Sequence, residues 1–149
     1  MKVLVVSILS LLLSNAALAG KCPNLAGSYS VCDNSDDVWV GTKDLIIDQE
    51  VVDGETRYVI KSDGGVFGRL ELDVIADGKT YDASVGDIAV TSTSKCSGAI
   101  SKKLKIRMPF TSDGGANQGV RTYDFKIKKG NIVFKVDANP EKVTCYRDE

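Results

Sequence analysis

Tight-turn residues divide this chain at short intervals: Gly41, Asp53-Gly54, Asp63-Gly64-Gly65, Asp77-Gly78, Gly86-Asp87, Ser97-Gly98, Asp113-Gly114-Gly115, Gly130-Asn131 and Asn139-Pro140. Asp, Asn, Ser and Gly tolerate the backbone conformations that a chain reversal needs, so each point reads as a turn. The segments between them are rich in Val, Ile, Tyr, Thr and Phe, most alternate apolar and polar residues, and none keeps a helical repeat over three turns. Alternation with period two sends successive side chains to opposite faces of a strand. The expected fold is therefore all-β, an antiparallel up-and-down meander of about eight to ten strands. Closure into a barrel would remove exposed edges and is the expected architecture, with a β-sandwich as the alternative.

Two-residue hairpin loops fix register, so three pairings can be written out. A loop at Asp53-Gly54 sets Ile47 against Ile60, Gln49 against Tyr58 and Val51 against Thr56, with Glu50 facing Arg57 outside. A loop at Asp77-Gly78 sets Val74 against Tyr81, Leu72 against Ala83 and Leu70 against Val85, with Asp73 facing Asp82 and Glu71 facing Ser84 outside. A loop at Gly130-Asn131 sets Ile127 against Phe134, Phe125 against Val136 and Tyr123 against Ala138, with Lys126 facing Lys135 and Asp124 facing Asp137 outside. One further strand turns Leu104, Ile106, Met108 and Phe110 inward and Lys103, Lys105 and Arg107 outward. A barrel of about eight strands is just filled by side chains or holds one small ligand. Tyr58, Leu72, Tyr81, Ile106, Phe125 and Phe134 are expected to line that interior, and inward Gln49, Thr56, Ser62 and Tyr123 make it more polar than a plain core.

Residues 1–19, MKVLVVSILSLLLSNAALA, combine a charged Lys2, an apolar run from Val3 to Leu13 and a small-x-small site at Ala17-Leu18-Ala19. That is the pattern of a bacterial secretory signal peptide, cleaved after Ala19, and it is shorter than the ~20 residues of a membrane span. The expected mature chain is a single domain over residues 20–149, periplasmic or secreted, with no membrane span. "LAGKC" nearly spells a lipid-attachment signal, but Lys21 separates the small residue from Cys22, so no lipid anchor is expected. All four cysteines, Cys22, Cys32, Cys96 and Cys145, lie in the exported part, which implies two disulfides. An extended stretch would hold Cys22 and Cys32 about 33 Å apart, far beyond the ~4.4–6.8 Å between Cα atoms that a disulfide spans. They are therefore expected to bond to Cys96 and Cys145, in either order.

The chain contains no histidine, which removes a Ser-His-Asp or Cys-His arrangement and the imidazole ligand of most zinc and copper sites. Asp33, Ser35 and Asp37 begin a calcium-loop spacing but lack its Gly and closing Glu, and read as a solvated acidic loop. The opposed carboxylates Asp73 with Asp82 and Asp124 with Asp137 read as screened by solvent rather than as a glycosidase pair. Trp39, the single tryptophan, reads as packed on the strand that follows, with a contact role as the alternative. The expectation is a non-enzymatic chain with no cofactor and no metal site.

Net charge is −1, yet residues 21–99 carry 7 Lys and Arg against 14 Asp and Glu, and residues 100–149 carry 11 against 6. Strands that follow one another round a sheet would turn this into an acidic side and a basic side. The run from Lys102 to Arg107 and the cluster Lys126, Lys128 and Lys129 suit a phosphate or an acidic surface. The acidic remainder and the lack of interleaved exposed aromatics argue against nucleic acid.

"NLAGSYSV", from Asn24 to Val31, resembles the first-strand signature of the calycin proteins (lipocalins, fatty-acid-binding proteins and avidins), with Gly27 and Tyr29 at the Gly-x-aromatic positions. Cys22 just before it and Cys96 later resemble the avidin version. The resemblance implies a β-barrel that binds a small or hydrophobic ligand. The alternative is a protein-binding module, such as a periplasmic inhibitor or envelope-associated protein, that uses the acidic and basic faces.

Overall fold

The structure is a computed structural model and describes residues 22–34, 38–39, 45–63, 69–137 and 142–149. The expected leader at residues 1–19, residues 35–37 of the acidic loop, and the turns at Gly41, Gly64-Gly65 and Asn139-Pro140 lie outside the described residues.

Twelve strands are described: β1 (Gly27–Tyr29), β2 (Val31–Asn34), β3 (Val38–Trp39), β4 (Leu45–Val52), β5 (Glu55–Asp63), β6 (Arg69–Ile75), β7 (Asp77–Asp82), β8 (Ala89–Ser97), β9 (Lys103–Ser112), β10 (Asn117–Lys128), β11 (Asn131–Val136) and β12 (Val143–Tyr146). They form two antiparallel sheets, a small one in the order β1-β4-β5-β6 and a large one in the order β3-β2-β12-β11-β10-β9-β8-β7. The all-β expectation holds, and the ladders divide between two sheets. Leu45, Ile47, Tyr58, Ile60, Leu72 and Val74 of the small sheet share one core with Leu104, Ile106, Phe125, Ile132, Phe134 and Val143 of the large. Each such side chain withdrawn from water stabilises the fold by about 1.5–3 kcal/mol before conformational entropy is subtracted.

Two strands pass from one sheet to the other. Only Ser30 separates β1 from β2, and only Ala76 separates β6 from β7. At Ser30 the end of the chain holds the crossing in place: Ser28 and Ser30 donate to the Asp148 carboxylate, and the Asp148 N–H donates to the Ser28 carbonyl. These bonds keep the Asp148 carboxyl below the usual carboxylate range. Next to it, Arg147 lies over the ring of the fully buried Tyr29 at 5.6 Å and donates to its hydroxyl at 3.0 Å, while that hydroxyl donates to the Leu25 carbonyl.

The Asp53-Gly54 hairpin has the expected register, with Ile47 opposite Ile60, Gln49 opposite Tyr58 and Glu50 opposite Arg57. Asp53 and Gly54 both take positive φ, 51° and 82°, as the tight hairpin turn requires. At the loop expected at Gly130-Asn131 the reversal uses Lys129-Gly130, at φ 52° and 83°, and Asn131 begins the next strand. A loop moved by one residue changes the pairing by two, so the faces are kept and the partners change: Phe125 faces Phe134, Tyr123 faces Val136 and Asp124 faces Lys135.

Asp77-Gly78 does not reverse the chain, which corrects the third expected hairpin. β6 pairs with β5, β7 pairs with β8, and the register shifts between Asp77 and Thr80. The Asp77 carboxylate accepts from the Lys79 N–H at 2.8 Å and from the Tyr81 hydroxyl at 2.6 Å. Those local bonds, with Gly78 at φ 79°, build a bulge in a continuing strand. The carboxylate pair Asp73 with Asp82 is thereby removed: Asp73 faces Val59 and Asp82 faces Thr91.

Both disulfides form as expected and join Cys22 to Cys96 and Cys32 to Cys145. Cys32 and Cys145 are register partners on β2 and β12, and Cys22 ties the segment before β1 to β8. Disulfides of this kind belong to an oxidising environment. Among the described residues no helix is long and apolar enough to cross a membrane.

Candidate functional site

Five of the six residues expected to line an interior, Tyr58, Leu72, Ile106, Phe125 and Phe134, are buried in the common core and pack within it. The Phe125 and Phe134 rings stack at 5.7 Å, and the Tyr58 hydroxyl donates to the Pro23 carbonyl at 2.7 Å. Burial pushes the Tyr58 hydroxyl far above the ordinary tyrosine range. Tyr81 is corrected to the outside: it is 39 % exposed, because β7 follows the bulge instead of folding back on β6. Its hydrogen bond to Asp77 raises the tyrosine and lowers the carboxyl. The Trp39 backbone pairs with Cys32 in β3.

One concavity lies between β6 and β8. This cleft of about 290 Å³ is lined by Leu72, Val74, Val90, Ser92 and Met108, with the exposed Val85 and Ile88 also on its wall.

A larger concavity is on the outer face of the large sheet, and alternation builds it. On β9 the buried Leu104 and Ile106 turn inward, so Lys103 and Lys105 turn out; on β10 Phe125 turns in, so Asp124 and Lys126 turn out. On β11 Ile132 and Phe134 turn in, so Val133 and Lys135 turn out. Register then aligns these side chains in two rows. The first runs Lys95, Lys105, Asp124, Lys135 across β8 to β11, and the second runs Ser97, Lys103, Lys126, Val133. With Lys142, just before β12, they line a groove of about 450 Å³, apart from Lys95, which flanks it. Val133 is 6 % exposed, an apolar spot on an outer face and outside the core cluster.

Two like-charge register pairs are built into this sheet, Lys95 opposite Lys105 and Lys103 opposite Lys126. Directly opposed like charges destabilise a sheet. Ion pairs between described residues join Arg57 to Glu50 and Asp73, Lys61 to Glu71, Lys79 to Asp77 and Arg121 to Asp137. None involves a groove residue, and Asp124 pairs with neither lysine beside it. Asp137, expected to face Asp124, instead holds Arg121 at 2.9 Å.

The sequence marked the run from Lys102 to Arg107 and the cluster Lys126, Lys128 and Lys129 but did not group with them Lys95, Lys135, Lys142 or Val133; Lys135, expected opposite Lys126, faces Asp124 instead. Outward alternation on β8 and β11 was the available signal for the first two, whereas their placement beside β9 and β10 depends on register. Among the described residues no group of three or more His, Cys, Asp or Glu side chains is placed to hold a metal. Comparison with known proteins finds no matching family model, no matching curated protein and no matching solved structure.

Proposed function

We propose that this chain is a non-enzymatic binding module of an exported protein, and that its working surface is the lysine groove on the large sheet, which receives an anionic partner. The observation that carries this reading is the pair of unrelieved contacts Lys95 with Lys105 and Lys103 with Lys126. A surface with no task has no reason to hold directly opposed ammonium groups; an anion between them turns the repulsion into attraction and draws the partner in by its field. The two disulfides support an extracytoplasmic setting, to which the leader at residues 1–19 would deliver the chain. The strands that continue from sheet to sheet at Ser30 and Ala76 support a barrel of calycin type as the architectural reading.

A second reading, a small apolar ligand between β6 and β8, is favoured by the lining of the cleft by Leu72, Val74, Val90 and Met108.

Native mass spectrometry of the protein purified from its source separates the two. The groove reading expects a bound anionic mass at low salt that is lost as salt rises and in Lys103→Glu/Lys126→Glu, but kept in Lys61→Glu on the small sheet. A bound mass that survives salt and both charge reversals, and disappears in Val90→Arg, would move the function to the cleft.

A further inference from the structure

We infer that the groove is a site for a phosphorylated sugar, free or as the head of a glycolipid, with the lysines taking the phosphates and Asp124 the hydroxyls. This deepens the anionic-partner reading and rests on it. Four observations select the class.

The groove is concave and, at about 450 Å³, of the size that holds a small ligand, which lies in the range of roughly 300–1,000 Å³. A typical protein partner covers about 800 Å² of a broad face instead.

Its cations are all lysines: Lys103, Lys105, Lys126, Lys135 and Lys142. Lysine is a compact charge with three rotating donors and suits a tetrahedral phosphate approached from several sides. The planar fork that grips the carboxylates of an acidic peptide is arginine's, and no arginine lines the groove.

Asp124 sits between Lys105 and Lys135 in register and is engaged by neither in an ion pair. Strand spacing puts those two lysines about 10 Å apart at Cα, two inter-strand steps. Two phosphates can therefore be held on either side of a body whose hydroxyls donate to the carboxylate. A chain that is anionic throughout would be repelled at that point; a sugar would not.

Val133, opposite Lys126 and only 6 % exposed, gives the groove a closed apolar floor beneath the lysine stems.

The test is calorimetric titration of the disulfide-bonded protein with a hexose bisphosphate, the unphosphorylated hexose, inorganic phosphate and polyglutamate, alongside co-sedimentation with phosphatidylcholine vesicles carrying a bisphosphorylated glycolipid. The hexose bisphosphate should bind at least roughly tenfold tighter than inorganic phosphate or polyglutamate, the loss of one charge-assisted hydrogen bond being worth about that factor. Asp124→Asn should weaken hexose bisphosphate while leaving or tightening polyglutamate, and Lys105→Gln/Lys126→Gln should weaken every anion. Vesicle binding with the same lysine dependence assigns the membrane-borne source, and binding of the free sugar alone assigns the soluble one.

Polyglutamate or phosphate binding as tightly as the bisphosphate, or Asp124→Asn tightening the bisphosphate, would overturn the sugar assignment and leave the anion-binding groove standing. No binding of any anion would remove both.

Discussion

The outer faces of the two sheets carry charge in opposite ways. On the small sheet Arg57 reaches across β5 to both neighbours, donating to both oxygens of Asp73 at 2.7 and 2.6 Å and to Glu50 at 2.7 Å, and Lys61 lies 3.7 Å from Glu71. Its cations, Arg57 and Lys61, are each matched by a carboxylate across the ladder, and the face is acidic, since Asp48 and Glu55 also point outward. On the large sheet Lys95, Lys103, Lys105, Lys126 and Lys135 face one another around Asp124 without an ion pair. The large sheet also holds three of the four disulfide cysteines, Cys32, Cys96 and Cys145, and the small sheet none. A face whose charges are paired serves the fold; the face whose like charges stand in register, on a sheet fastened by crosslinks, is the one on which the proposed anionic partner would sit.

The largest expected effect concerns those crosslinks. Cys32→Ala/Cys145→Ala should cost about 2–5 kcal/mol of stability, read from urea midpoints. In amide hydrogen exchange β2 and β12 should lose protection before β4 to β6 do. Simultaneous loss in both sheets would show one cooperative unit and weaken the contrast between them.

A smaller effect should differ in sign between the two faces. Lys103→Gln relieves the contact with Lys126 and should stabilise the protein by about 0.2–1 kcal/mol at low salt. Arg57→Gln breaks three hydrogen bonds and should destabilise it. Shifts in the same direction for both variants would end the distinction between a paired and an unpaired face.

The smallest effect is the pH dependence that Asp73 contributes on the small sheet. Hydrogen bonds from Arg57 hold the Asp73 carboxyl below the usual carboxylate range. A carboxyl whose pKa is lowered by folding contributes stability above its unfolded pKa, near about 3.9, and loses it as pH falls through the folded value. The destabilisation caused by Asp73→Asn should therefore be present at neutral pH and fade in acid below about pH 4. The Lys103→Gln effect involves no carboxyl held by Arg57 and should not follow that fade. An Asp73→Asn cost that is flat with pH would show that the pair does not contribute.

Alternation alone assigned the faces of β5, β9 and β10, and of β4 up to Gln49, because a half-buried strand must separate apolar from polar side chains every second residue; Val51, expected inside, is 62 % exposed near the hairpin end. The Asp53-Gly54 loop was legible for a similar local reason: both residues tolerate positive φ. Asp77-Gly78 has the same letters and a different outcome, since its carboxylate is taken up by Lys79 and Tyr81 and the strand continues into the other sheet. Tyr81 was misplaced for that reason alone.

The sequence by itself determined the all-β class, the inward and outward sets of most strands, and the partners open to each cysteine, since all of these follow from local geometry and chain reach. Only the tertiary structure decided that Lys103 meets Lys126, that Asp124 stands between Lys105 and Lys135 instead of opposite Asp137, and that Cys22 pairs with Cys96. Those are contacts between strands. They depend on which turns reverse the chain and by how many residues each ladder is shifted, and a one-residue difference at a turn exchanges every partner along it.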